Sequence, residues 1–122
     1  MADGWNLITT NGKGLALDRI FGLGGAASLT GIAVGTLATP AAVGDNAITG
    51  AVFKAFESAA TRTGLTVTCS ILLGTAEGNI NIQEMGGLTA AGGVLFNRIA
   101  PIGPFNKTAA TSLRITMQII QA

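Results

Sequence analysis

Apolar and polar residues alternate over two long segments of the chain, and this alternation predicts β-strands. One segment covers residues 63–74 and the other covers residues 112–119. A period of two places successive side chains on opposite faces of a strand, so both segments are predicted to be half buried. The apolar residues of one parity are Leu65, Val67, Cys69, Ile71 and Leu73 in the first segment and Leu113, Ile115, Met117 and Ile119 in the second.

Shorter patterns predict further strands. In residues 79–83, two isoleucines alternate with amide side chains, and residues 94–99 follow a glycine pair. Residues 29–34 also have the composition of a strand, whereas residues 51–58 are compatible with a strand or a helical turn. Residues 39–45 are predicted to be a loop. The prolines and the glycine of residues 101–104 interrupt regular pairing, so this connection is predicted to be an extended loop or a crossover at a sheet edge.

A short helix is predicted near the N-terminus. Residues 13–23 have apolar positions compatible with one helical face, and the glycine-rich residues 22–25 provide a stop signal. Many short strands, glycine-rich turns and one helix together predict a mainly β chain, an antiparallel and jelly-roll-like β-sandwich with a short N-terminal helix. Residues 1–122 are predicted to form one domain, in which residues 1–28 are an arm and helix packing on the sandwich or extending from it.

The composition indicates that part of the protein surface contacts other proteins. Of the 122 residues, 48% are apolar and 11% are charged, whereas a typical soluble domain has about 25% charged residues. The chain has no histidine and no tyrosine, which removes the commonest general base of enzymes. We therefore expect a non-enzymatic protein whose surface is partly covered by companions.

Charge and hydropathy argue against two classes of partner. The seven basic residues are scattered and the net charge is +1, so no stripe exists for tracking nucleic-acid phosphates. Residues 20–44 carry no charge, but they are too rich in glycine, threonine and proline for a lipid-exposed helix. Residues 1–5 do not resemble the start of a secretory signal. We predict neither nucleic-acid binding nor membrane insertion.

Candidate chemical motifs have simpler structural interpretations. Residues 22–27 fit G-x-G-x-x-A, but the helix precedes the glycines instead of following them, so a helix stop is the better interpretation. Glu77 and Glu84 could form a glycosidase pair. Alternatively, Glu77 lies in a solvated turn, and Glu84 bonds a backbone group or pairs with Arg98. The lone Cys69 is expected in the core. No catalytic residue, cofactor or metal site is predicted.

Three aromatic residues are candidate interface anchors. Trp5, Phe21 and Phe105 lie near the N-terminus, at the end of the predicted helix and in the proline-flanked loop. Each could cover the protein's own core or insert into a neighbouring subunit, where aromatic residues are often energetic hot spots. Exposed strand edges offer a second route to association through backbone pairing.

Four stretches of the sequence carry a resemblance to known proteins. They are residues 7–14 (LITTNGKG), 32–36 with 39–45 (IAVGT, TPAAVGD), 82–88 (IQEMGGL), and 95–98 with 106–108 (LFNR, NKT). Together they resemble small structural proteins of bacteriophage virions, including head decoration proteins and N-terminal modules of tail-collar fibres. Residues 84–89 stand where these proteins have an E-x-G-L-F turn, here with an extra glycine and no aromatic residue. The resemblance implies a virion component that assembles in the bacterial cytoplasm.

Among such components, the sequence favours a capsid decoration, or cement, protein that binds the outer surface of the major capsid lattice. It would also self-associate as a dimer or trimer. A tail, collar or fibre-base subunit is the alternative, although a long shaft usually follows a fibre module and the sequence has the length of one domain. A carbohydrate-binding module is a third class, which normally stacks sugars on exposed aromatic rings. The chain has one tryptophan, five phenylalanines and no tyrosine, so the sequence does not favour this class.

Overall fold

A computed structural model describes residues 6–25 and 27–120, which form one helix and ten strands. The helix α1 comprises Thr10–Phe21. The strands are β1 (Asn6–Ile8), β2 (Gly31–Gly35), β3 (Val52–Ala55), β4 (Thr61–Thr63), β5 (Thr66–Leu73), β6 (Asn81–Ile82), β7 (Glu84–Leu88), β8 (Asn97–Ile99), β9 (Phe105–Asn106) and β10 (Leu113–Ile120).

The strands form three antiparallel sheets. One sheet has the order β1-β8-β7-β2-β3, the second has the order β10-β5-β4, and β6 pairs with β9 in the third. The fold prediction, a mainly β and sandwich-like arrangement of antiparallel sheets with an N-terminal helix, is confirmed. Residues 51–58, which the sequence left open, contain strand β3.

The main core lies between the two larger sheets. Ile32 and Val34 of β2 pack with apolar residues of β5 and β10, and all of these side chains are at most 6% exposed. The members from β5 and β10 are Cys69, Ile71, Leu73 and Met117. Each buried aliphatic side chain of this kind contributes about 1.5–3 kcal/mol. The parity predicted for β5 and β10 is therefore the parity that faces the core.

Leu65 is an exception to the predicted strand of residues 63–74. The structure divides this segment into β4 and β5, joined by a two-residue turn of Gly64 and Leu65. Gly64 has a φ of +58°, which a glycine adopts without steric cost at the first position of such a turn. Leu65 is consequently 64% exposed. Leu65 has the same sequence parity as the core-facing residues of β5, but it lies in the turn before that strand and does not reach the core.

The turn expected at residues 84–89 is wrong, because Glu84–Leu88 form strand β7 at the centre of the larger sheet. The glycines serve close packing. A Cβ atom on Gly86 would lie 2.2 Å from the carbonyl oxygen of Asn97, and one on Gly87 would lie 3.1 Å from its side-chain oxygen. Glycine is needed here because another strand approaches too closely for a side chain.

Other predicted boundaries shift by a few residues. The strand expected at 94–99 is reduced to β8, with a single bridge between Leu95 and Leu88 before it. The strand expected at 29–34 is β2, and the strand expected at 79–83 is reduced to β6. Residues 101–104 and 39–45 contain no strand, so the two predicted loops are confirmed.

The buried Cys69 gives a direct test of the core. Burial raises the pKa of its thiol above the ordinary value, and thiol reagents react with the thiolate. We expect Cys69 to resist a chromogenic disulfide reagent in the folded protein at mildly alkaline pH, and to react once urea unfolds the chain. Rapid stoichiometric labelling of the folded protein would contradict the placement of β5.

Candidate functional site

The base of helix α1 is fixed through Thr9 to Leu95 and Phe96, the two residues that precede β8. The side-chain oxygen of Thr9 accepts a hydrogen bond from the Gly12 amide at 2.9 Å and donates one to the carbonyl of Leu95 at 2.6 Å. The Thr9 amide donates to the carbonyl of Phe96 at 3.0 Å. Thr9 is thus a fully buried N-cap. This cap explains why the helix begins at Thr10 instead of the predicted Lys13.

The C-terminal end of α1 confirms the helix stop. Gly22 follows the last helical residue with a φ of +66°. The Leu23 amide donates to the carbonyl of Asp18 at 2.8 Å, and the Gly22 amide donates to that of Arg19 at 3.4 Å. These two bonds form a Schellman motif, which satisfies carbonyls that the helix leaves without partners. The glycines therefore follow a helix and end it, whereas a dinucleotide fingerprint would precede one.

Between these ends, α1 presents an apolar face to solvent. Leu17, Ile20 and Phe21 follow the i, i+3, i+4 spacing of one helical face and are 56%, 74% and 71% exposed. Gly12 is the buried residue of the helix. A surface helix usually turns its apolar stripe toward the core. Here the stripe of Leu17, Ile20 and Phe21, which we call the outward face, has no cover from the described part of the chain.

Two glycines of α1 provide a matched test of how the helix packs on the rest of the chain. A Cβ atom on Gly12 would lie 2.0 Å from the carbonyl oxygen of Phe96, whereas one on Gly14 would meet nothing within 4 Å. Gly12→Ala is expected to lower the free energy of unfolding by about 1–3 kcal/mol, because α1 must move away from the backbone of Phe96. Gly14→Ala is expected to raise it by about 0.5–1 kcal/mol. Urea unfolding measures both changes, and equal effects would show that Gly12 does not pack on Phe96.

The structure places the three predicted interface residues differently. Phe21 lies on the outward face and is exposed, and its role as an interface anchor stays a prediction. Phe105 is 44% exposed on β9, an element separate from α1. Trp5 lies outside the described residues, so its role stays a prediction. Leu17 and Ile20 were not predicted as surface residues, although the i, i+3, i+4 spacing that they share with Phe21 is visible in the sequence.

A buried ion pair lies behind the base of the helix. Arg98 is 2% exposed and Glu84 is 0% exposed. The Arg98 Nε donates to Glu84 Oε1 at 2.8 Å, and Nη1 donates to Asp45 Oδ2 at 3.0 Å. A third bond runs from Nη2 to the carbonyl of Leu37 at 3.1 Å. We call Arg98, Glu84 and Asp45 the Arg98 cluster.

Glu84 has a second set of partners on the backbone. Its Oε2 accepts hydrogen bonds from the amides of Leu37 at 2.8 Å and Thr49 at 3.1 Å. Both interpretations considered for Glu84, a backbone bond and a pair with Arg98, are therefore confirmed together. With both oxygens engaged and no exposure to solvent, this carboxylate is built to hold structure.

The Arg98 cluster fixes the connection between β2 and β3. Residues 36–51 have no regular structure, yet Leu37, Asp45 and Thr49 are tied to the cluster. The same connection reaches α1, because the Thr10 amide donates to the carbonyl of Val43 at 2.8 Å. The cluster, the connection and the helix base thus form one bonded unit that orients the outward face.

Glu77 lies apart from this cluster. Its carboxylate binds Lys54 at 2.6 Å and accepts a bond from the Gly74 amide at 2.8 Å. The Lys54 ammonium, followed by the Gly74 amide, lowers the pKa of Glu77 below its ordinary value. Glu77 therefore remains a partly exposed, ionised surface residue, and the structure does not pair it with Glu84. The buried Lys107 donates from Nζ to Asn79 Oδ1 at 2.8 Å.

Residues 6–25 and 27–120 contain no enclosed pocket and no group of three or more potential metal ligands. Their single helix, at 12 residues, is too short to cross a bilayer. The distinctive feature of this part of the chain is therefore a surface, the outward face of α1 on its bonded base. Comparison with models of protein families, with curated protein sequences and with solved structures found no match.

Proposed function

We propose that this protein is a bacteriophage head decoration protein that binds the outer surface of the major capsid lattice through the outward face of α1. The observation that carries the proposal is the exposure of Leu17, Ile20 and Phe21 on one helical face. The low proportion of charged residues, 11% of the chain, supports a surface that works against other protein. The resemblance of four sequence stretches to virion proteins supplies the class of partner.

The outward face suits repeated docking on a lattice. A helix that lays apolar residues at i, i+3 and i+4 into a groove is a common mode of protein recognition. Aromatic anchors such as Phe21 concentrate binding energy in a small area. A capsid offers many identical grooves, and copies that also contact one another gain affinity through multivalency. Each copy then needs a modest apolar patch and no ligand chemistry.

The hydrogen bonds that hold the first turn of α1 favour tight docking. Thr9 and Gly12 fix the first turn of the helix on the segment that precedes β8, and the Arg98 cluster holds the connection that bonds Thr10. A surface that is ordered before it binds loses less conformational entropy on association. We therefore expect α1 to have the same conformation in the free protein and in the bound state.

Binding to purified particles tests the proposal. Protein incubated with empty capsids should bind saturably, at a fixed copy number per capsomer, as measured by sedimentation of the particles and quantification of the bound chain. Saturable binding to purified tails and not to heads would reject the capsid assignment in favour of a tail, collar or fibre-base subunit. Binding to neither particle would contradict a virion role.

A further inference from the structure

Strand β10 has an unusually long free edge. In the sheet order β10-β5-β4, no strand from the described residues pairs with the far side of β10, which is eight residues long. The other edge strands of the two larger sheets, β1, β3 and β4, have three or four residues, and Lys54 and Arg62 place charges on β3 and β4. Short length, charged side chains and proline usually protect a sheet edge against pairing with another chain. Strand β10 is neither short nor interrupted by proline.

The register identifies which backbone groups point to this edge. Ser70 of β5 accepts a hydrogen bond at its carbonyl from the Glu57 amide, so its backbone groups point away from β10. Thr116 pairs with Ser70 in the ladder. Thr116 must therefore point its own N–H and C=O away from β5, because facing antiparallel residues either both bond each other or both point outward. The residues of β10 with this outward orientation are Arg114, Thr116, Gln118 and Ile120.

The one charge in β10 is directed away from the free edge. Arg114 donates from Nε and Nη2 to the carboxylate of Glu57 at 2.8 and 3.0 Å. Glu57 also accepts a bond from the Ser70 hydroxyl of β5 at 2.7 Å. The guanidinium thus reaches back over β5. The edge keeps its outward backbone groups without a charge beside them.

Burial falls across the sheet toward the same edge. Ile71 and Leu73 of β5 are fully buried, whereas their ladder partners Ile115 and Leu113 of β10 are half-buried on the same face. Ile119 of β10 is also half-buried. The apolar face therefore continues to the edge of the sheet and stops without lateral cover.

We propose that the β10 edge pairs with the β10 edge of a second copy of this chain, antiparallel about a two-fold axis at Met117. In this register, Thr116 of one copy faces Gln118 of the other, and Arg114 faces Ile120. All four outward residues find partners, and no like charges are opposed. The half-buried residues of the two copies extend one another's apolar face. The strand is thus complementary to itself, which is what a two-fold interface requires.

The dimer uses a surface different from the outward face of α1 and does not depend on the virion proposal. Sedimentation equilibrium over a concentration series should give a dimer for the wild-type chain. Gln118→Pro removes an outward N–H without removing a ladder bond to β5, and it should raise the dimer Kd by about 100-fold or more. Gln118→Val keeps the N–H and should change the Kd by no more than a few-fold.

Three results would overturn the dimer. They are a wild-type chain that remains monomeric at millimolar concentration, a folded Gln118→Pro variant that still dimerises like the wild type, and loss of the dimer in the α1 variant Ile20→Ser/Phe21→Ser. If Gln118→Pro does not fold, amide hydrogen exchange of the wild type decides the matter. The amides of Thr116 and Gln118 should be protected at high concentration and exchange rapidly on dilution, and rapid exchange at every concentration would contradict the pairing.

Discussion

Replacing Arg98 with methionine is expected to lower the free energy of unfolding by about 3–5 kcal/mol, because it leaves the carboxylate of Glu84 buried without its cation. Glu84 is 0% exposed, and no solvent can replace the lost charge unless the structure opens. The same substitution releases Asp45 and the carbonyl of Leu37. Since a domain of this size has a total stability of about 5–15 kcal/mol, the variant should be largely destabilised.

Two further variants make this result specific to the buried pair. Arg98→Met/Glu84→Gln should be more stable than Arg98→Met alone, because the glutamine amide is uncharged and can still accept the bonds from the Leu37 and Thr49 amides. Arg114→Met, which breaks the exposed pair with Glu57, should leave the urea midpoint almost unchanged. A wild-type midpoint for Arg98→Met would contradict the burial and the bonding of the cluster.

The double substitution Ile20→Ser/Phe21→Ser is expected to weaken capsid binding by about 30-fold or more while leaving stability almost unchanged. Both side chains are more than two-thirds exposed in the isolated protein, so their removal takes little from the fold. At a docked interface, the same side chains would be desolvated anchors, each with a large share of the binding energy. Cosedimentation with empty capsids measures the affinity, and urea unfolding measures the stability.

Leu65→Ser is the matched control for the α1 variant. Leu65 is 64% exposed in the β4–β5 turn and lies outside the outward face. It therefore tests whether any exposed leucine supports binding. Equal losses in the two variants would indicate general stickiness, and wild-type affinity in the α1 variant would show that docking uses another surface.

Local patterns were sufficient where one residue type has one physical role. The alternation in β5 and β10 identified the core-facing side chains, because the period of a strand is fixed by its geometry. Gly22 was recognised as the end of a helix because glycine takes positive φ without strain. For Glu84, the sequence left a backbone bond and a pair with Arg98 as alternatives, and the structure contains both.

Long-range packing explains what the sequence could not reveal. Gly86 and Gly87 have the composition of a turn, and their place in β7 depends on the approach of Asn97 from a neighbouring strand. The rotation of α1, which exposes Leu17 and Ile20, depends in the same way on the contact between Gly12 and Phe96. Neither contact leaves a local signal. The three-dimensional structure was therefore needed to show that Leu17 and Ile20 lie beside Phe21 on the candidate surface.

An electron cryomicroscopy reconstruction of decorated capsids would locate this protein on the virion. We expect density for it on the outer face of the head, with Leu17, Ile20 and Phe21 against the capsid shell. Heads without such density, or bound copies whose α1 points into solvent, would rule out capsid docking through the outward face of α1.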